Sequence, residues 1–315
     1  MSIPRRAHLI WLGRDLPWVN VLAVRSAAER GGFERVTLHH DEDLSAAPHY
    51  RALAAIDRLE LRRLRLDDLI DGCGAFAPAL KAAYPRLPSP SIRKDLIRLA
   101  ILYGEGGVYL DCDTVTVRSL EDLCGETEAF CGEERIVFPG TVKWSRNPAV
   151  QLLSLLRNGL RDLLALWPRG WAAFRAIERF YPRAVNNAVI GSAPRSRFVT
   201  RALERITELP PNVQTRLCGI GPHLLQELAT QFTRPELVVH PPPVFYPLGP
   251  VVSRHWFYLR QGGGPLARVL LPDTRVVHWY ASIRNQVLTS IIDPAYMRAN
   301  ASRQLFSELA LPFAG

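Results

Sequence analysis

Lysine is nearly missing from this chain of 315 residues. Lys81, Lys94 and Lys143 are the only three, so 36 of the 39 basic side chains are arginines. The five cysteines (Cys73, Cys112, Cys124, Cys131, Cys218) are odd in number and form no C-x-x-C pair, which argues against a zinc ribbon or a disulfide framework and for a reducing compartment, the cytosol. No stretch reaches the roughly 18 uninterrupted apolar residues of a membrane-spanning helix. The apolar run behind Arg5 and Arg6 is too short for the core of a signal peptide. Repeats and low-complexity tracts are absent, and aromatics are not interleaved with arginines as nucleic-acid stacking would require.

What is present is an ordinary globular composition, 48% hydrophobic and 22% charged, with a net charge of +9. Arginine forks suit phosphate and carboxylate, so an anionic ligand is one explanation of the surplus; bias in codon usage is the other. The first half alternates strand-like and helical runs. Ala7–Leu12 reads as a buried strand, Trp18–Arg30 as a helix stopped by Gly31-Gly32, Arg35–His39 as a second strand and Leu59–Leu66 as a half-buried one. This βαβ rhythm predicts an α/β fold, a mainly parallel sheet with helices on both faces. One domain over residues 1–285 is expected, with a helical insertion at about 147–181 and a helical tail over 286–315.

The clearest helix has Ser89 as N-cap and Pro90 at its first position, with Ile92, Leu96, Leu99 and Tyr103 on one face and Gly104 as its stop. Asp95 and Arg98 interrupt that apolar helix at i, i+3. They are either a self-satisfying pair or part of a site. In G-E-G-G no Lys-Ser/Thr follows, so it is no P-loop; its glycines stop the helix and let backbone approach a ligand. The strand Val108–Leu110 then delivers Asp111-x-Asp113, with Cys112 turned away into packing. Two carboxylates so close raise one pKa unless a hard cation such as Mg²⁺ or Mn²⁺ relieves them. A polar turn is the plain alternative. The same string fits a haloacid-dehalogenase-like phosphatase using Asp111 and Asp113, but after residue 134 only Lys143 is available as its lysine and no Gly-Asp-x-x-x-Asp exists.

The run S-I-R-K-D-L-I-R-L-A-I-L-Y-G-E-G-G-V-Y-L-D-C-D (91–113) resembles the signature of the DXD-type "sugar-binding region" glycosyltransferases. That family includes fungal α-1,6-mannosyltransferases and bacterial capsule and lipooligosaccharide enzymes, and shares its core with the large clostridial glucosylating toxins. The opening I-P-R-R-A-H-L-I-W-L-G is similar to the family's first strand, and the resemblance is good over residues 3–123. It implies a GT-A fold, a UDP- or GDP-sugar donor, Mn²⁺ or Mg²⁺, transfer to a hydroxyl acceptor, and retention of anomeric configuration. Position by position, it implies that Trp11 stacks on the donor base. Asp95 and Arg98 would hold the sugar and ribose-phosphate region, and Tyr109 would lie beside the diphosphate. Asp111 would hold ribose or sugar and help order the metal, with Asp113 the direct ligand. Asn186 or Asn187 would reach the donor sugar. The resemblance implies that V-V-H-W-Y-A-S-I-R supplies the third metal ligand, His278, with Ser282 a donor contact, while Ile283 stands where the family has tryptophan. The other histidines read as core or surface residues.

The helix from Asn147-Pro148 to about Trp167 collects its leucines largely on one face, with Arg157 and Arg161 flanking it. Core packing or an acceptor-side wall is the expected use of that face. A helix lying on a membrane is the sharper alternative, and with it a peripheral place at the inner membrane face. A non-catalytic basic module binding membrane or anions is the remaining reading.

Overall fold

The computed structural model of the chain describes residues 2–125, 127–136, 145–167, 169–259, 266–281 and 286–314. Lys143, Ser282 and Ile283, named above, lie outside the described residues. The strands are β1 (Arg6–Trp11), β2 (Arg35–His40), β3 (Leu59–Arg63), β4 (Gly107–Leu110), β5 (Thr114–Thr116), β6 (Ala129–Arg135), β7 (Arg183–Ser192), β8 (Val238–His240) and β9 (Val276–His278). The longer helices are α1 (Trp18–Arg30), α2 (Pro90–Glu105), α3 (Pro148–Leu166), α4 (Gly170–Ile177), α5 (Arg197–Glu208) and α6 (Pro222–Ala229).

Seven strands form one mixed sheet in the order β3-β2-β1-β4-β7-β6-β8, and β5 pairs with β9 in a separate ribbon. The expected βαβ half is the parallel set β3-β2-β1-β4. Antiparallel β7 then joins β4 to β6, and β8 pairs parallel with β6, so β7 alone of the seven strands runs against the rest and the sheet is mixed but mainly parallel. Its two faces are dry. Val21, Val24 and Ala27 of α1 cover one, and Leu96, Leu99 and Leu102 of α2 with Phe198 and Leu203 of α5 cover the other. A third cluster joins Leu164, Trp171, Phe174, Trp256 and Trp279 to Phe306 and Leu309 near the C-terminus.

Local chemistry sets the helix ends. The Ser89 Oγ accepts from the Ile92 N–H, Pro90 sits in the first turn, and Gly106 (φ 65°) ends α2 with its N–H on the Leu102 carbonyl. A Cβ on Gly107 (φ 99°) would lie 2.7 Å from the Arg6 carbonyl oxygen and 3.1 Å from the His8 Nε2. Gly107 therefore lets β4 close on β1, and α2 runs through Gly104, the expected stop, to end at Gly106. On α3 the expectation of core packing fails: Leu152, Leu155, Leu156, Leu163 and Leu166 face solvent, and only Ser154, Leu164 and Ala165 are buried. Among the described residues no helix is long and apolar enough to cross a membrane.

Candidate active site

The site forms where β4 ends. Asp111 continues the sheet by one bond, its N–H donating to the Ala188 carbonyl of β7 (2.8 Å). The Thr114 hydroxyl donates back to the Asp111 carbonyl (2.8 Å), which folds Asp111–Asp113 into a tight turn. From the far side the buried Asn20 amide of α1 donates to the Cys112 carbonyl (2.9 Å). Cys112 itself points into the core, as the alternation of the strand predicts.

The ribbon then brings in the third group. Thr114 pairs with His278, and the Trp279 N–H donates to the Asp113 carbonyl (3.0 Å). His278 Nε2 lies 3.1 Å from the Asp113 Oδ1, and the Ala281 N–H donates to its Oδ2 (2.7 Å). One ligand atom each from Asp111, Asp113 and His278 falls within 4.8 Å of the others. Burial acts most strongly on Asp113 and would raise its pKa, yet the His278 imidazole and the Ala281 N–H outweigh it and hold the carboxyl at about 2. Burial lowers the His278 pKa, but the carboxylates around it leave the net direction upward. The expected rise at one of the two aspartates is therefore not seen at Asp113, because an imidazole already does part of what a cation would do. The His278 Nδ1 is buried with no partner among the described residues. Two carboxylates and an imidazole suit Mn²⁺ or Mg²⁺.

A second network lies against the first. Arg98 is buried, with Nη2 at 3.0 Å from the Asp95 Oδ1 and Nη1 at 3.5 Å from the Asp111 Oδ1. Nη1 also donates to the Asn187 carbonyl (2.5 Å), and the guanidinium stands over the Tyr109 ring, 4.4 Å from its centroid. Asp95 and Arg98 are thus both an intrahelical pair and members of a wider cluster. The Asn187 amide donates to the Asp95 Oδ1 (2.8 Å). The Tyr109 hydroxyl donates to the Asp111 Oδ1 (2.5 Å). Burial lifts the Asp95 pKa to about 6 against the pull of Arg98. Asn187 can reach α2 because the register of β6 on β7 jumps from Gly132 opposite Asn186 to Cys131 opposite Ile190. The residues between leave the β6 ladder at the site, while Val189 stays paired with Leu110 of β4. Asn186 faces the other way and its Oδ1 accepts from the Ala188 N–H (2.7 Å). Trp11 ends β1 against the first core cluster, its indole N–H buried and unpartnered among the described residues.

Sequence reasoning missed several supporting groups. The Tyr280 hydroxyl donates to the Glu134 Oε2 (2.6 Å), and Tyr280 itself has φ 61°, the left-handed region that a non-glycine residue rarely occupies. Burial raises the Glu134 pKa. A Cβ on Gly221 would lie 2.4 Å from the Asp95 Oδ2 and 2.8 Å from the Asn187 Nδ2, so the turn before α6 presses on that pair. Asn20, a buried polar residue on an apolar helix, was the one with a visible signal.

Residues 41–130 match the model of the family described as "Glycosyltransferase sugar-binding region containing DXD motif". Over these residues, under a third of its length, the chain is similar to the sugar-binding region of DXD glycosyltransferases. The match takes in Asp95, Arg98, Tyr109, Asp111 and Asp113, and stops short of Asn187 and His278. No curated protein matches the chain. Among solved structures, the PaToxG glycosyltransferase is 14% identical over 73% of this chain and 70% of its own, with a TM-score of 0.46. Mouse xyloside xylosyltransferase 1, in its apo form, is 11% identical over 89% and 99%, with a TM-score of 0.46. The UDP-bound glycosyltransferase domain of the YGT toxin is 11% identical over 76% and 80%, with a TM-score of 0.40.

Proposed function

We propose that the chain is a GT-A-type, metal-dependent hexosyltransferase that moves a sugar from a UDP- or GDP-sugar to a hydroxyl of a glycan, lipid-linked or small acceptor, with retention. The observation that carries this reading is the gathering of Asp111, Asp113 and His278 beside the Asp95–Arg98–Asn187 network. Residues 1–285 are taken as the catalytic domain and 286–315 as its tail. The reading sets it in the cytosol, in polysaccharide biosynthesis.

A Mn²⁺ or Mg²⁺ ion held by Asp113, Asp111 and His278 would neutralise the departing diphosphate, a contribution of several kcal/mol. The protein's own groups do the rest. Tyr109 and Arg98 both engage the Oδ1 of Asp111, which leaves its Oδ2 for an incoming group. Arg98 acts chiefly by fixing Asp95 and Asp111, because its guanidinium is enclosed by them. Asp95 and Asn187 offer a carboxylate and an amide to sugar hydroxyls, with Asn186 behind them. Trp11 offers its ring to the base, and Ser282 is kept as a donor contact. Attack from the leaving-group face, with a diphosphate oxygen taking the acceptor's proton, gives retention without a carboxylate nucleophile.

The test is a panel of UDP- and GDP-sugars assayed for hydrolysis with and without Mn²⁺. One donor should be turned over only with metal present, chelator should abolish turnover, and Asp113→Ala should remove it. Undiminished turnover by that variant, or release of phosphate from a plain phosphomonoester without sugar transfer, would overturn the reading.

A further inference from the structure

Helix α3 is built inside out. Its inward side carries Ser154, with Arg157 and Asn158 half-buried beside it, and the Ser154 Oγ and Asn158 Oδ1 are buried without a partner among the described residues. Its outward side carries Leu152, Leu156 (62% exposed), Leu160, Leu163 (65%), Leu166 (76%) and Trp167 (61%). Spacings of four, four, three, three and one keep these on one stripe of a 3.6-residue helix. A continuous apolar stripe in water, backed by unsatisfied polar atoms, marks a surface that meets something other than water.

Charge says what that something is. Residues 145–181 hold six arginines against two acids, Asp162 and Glu178. Asp162 is already held by Arg161 (2.8 Å). Arg179 stands by the ring of exposed Phe180, 4.9 Å from its centroid, and the neighbouring Tyr181 hydroxyl donates to the Arg157 carbonyl (2.9 Å). A second copy of the chain laid on this face would set its own arginines against these. An anionic bilayer offers hydrocarbon to the leucines and phosphates to the arginines, with Trp167 suited to the headgroup level.

We propose that α3 is a bilayer-docking helix, its leucine stripe sunk into the headgroup–acyl boundary of an anionic membrane and the exposed arginines of the segment, Arg146, Arg169 and Arg179, on lipid phosphates. This places the membrane one packing layer from the site, because Leu164 shares its cluster with Val277 and Trp279 on either side of His278. It stands apart from the sugar-transfer reading.

The experiment is co-sedimentation of the full chain with phosphatidylcholine vesicles and with phosphatidylcholine–phosphatidylglycerol vesicles of equal molar ratio. Binding to the anionic vesicles should exceed binding to the neutral ones by about tenfold at low salt and fall as salt rises. Leu156→Glu with Leu163→Glu should abolish it, while leaving the melting curve and donor hydrolysis in vesicle-free buffer unchanged. Arg179→Gln, at an exposed arginine beside Phe180, should weaken it at low salt only. Absence of binding to either vesicle, equal binding to both, or binding that survives the double leucine variant would overturn the proposal. So would a concentration-dependent dimer that the same variant dissolves. Hydrolysis without vesicle binding would sink this proposal alone; vesicle binding without hydrolysis would sink the enzymatic reading alone.

Discussion

Helices α2 and α3 begin alike and end as opposites. Both open on a side-chain cap with proline behind it: Ser89 on the Ile92 N–H, and Asn147 on the Ala149 N–H. Yet α2 buries its charges and α3 exposes its leucines. In α2 every charged atom that leaves water finds a partner across the fold, from Asn187, Asp111 or its own turn. In α3 the stripe that periodicity picks out points away from the protein. Amphipathic spacing therefore identifies a face but not what that face meets, and partners far off in sequence decide it.

The largest expected effect strikes the buried side of this contrast. Arg98→Met removes the cation from between Asp95 and Asp111 and leaves two carboxylates in a site with little water. Losing one member of a buried charge cluster costs roughly 3–5 kcal/mol. Chemical denaturation should show that loss together with loss of turnover, and Arg98→Lys should restore little, because one ammonium cannot span the same three acceptors. A loss below about 1 kcal/mol would place the pair among surface ion pairs and dissolve the contrast.

Acid probes the same region without mutation. The His8 Nε2 lies 3.0 Å from the Gly106 carbonyl at the end of α2, and its Nδ1 lies 3.1 Å from the His39 Nε2. A neutral His8 with its proton on Nε2 satisfies both contacts, accepting from a neutral His39. Burial, first of the causes in each case, lowers His8 to about 4 and His39 to about 2. Unfolded histidines take protons near 6.5 while these do not, so stability is full above that pH and falls as pH drops toward 4. Asp95 works in the opposite sense, because its raised pKa favours the folded state as pH falls through about 6. From the His8–His39 pair and Asp95 alone, the net loss between pH 6.5 and 4 should be on the order of 3–4 kcal/mol. Denaturation curves across that window would measure it, and a flat profile would mean that the two rings already carry charge in the fold.

Gly221→Ala presses on Asp95 from the outside. The new methyl meets the Asp95 Oδ2 and the Asn187 Nδ2 well inside contact distance, and both are held by other bonds. About 1–3 kcal/mol of overpacking is expected, with donor hydrolysis falling more than stability does. Unchanged hydrolysis would detach Asp95 from the sugar.

Much of this was legible because it is local. The caps of α2 and α3, the first two strands and the turn that presents Asp111 and Asp113 all follow from residues within a few positions of one another. The rest depends on distant closure. Nothing near Asp113 announces that a β5–β9 ribbon will set His278 against it; only the resemblance pointed there. The left-handed Tyr280 is held by Glu134 from another strand, so its conformation has no signature in its own neighbourhood. The depressed pKa of Asp113 reverses a sound local expectation for the same reason.

The smallest effect belongs to the outward face of α3, and its smallness is the point. Leu163→Gln replaces a side chain that is 65% exposed, so little apolar area returns to water and stability should move by less than about 0.5 kcal/mol. Leu164→Ala, one residue on, empties a place in the cluster around Trp171 and Trp256 and should cost roughly 2–5 kcal/mol. Melting curves of the two variants beside the parent would read the orientation of the helix directly. Equal losses would mean that Leu163 packs inside, with the leucine stripe turned inward as core. The predicted asymmetry would leave a row of leucines that contributes nothing to folding, which a chain retains only where the row meets a partner.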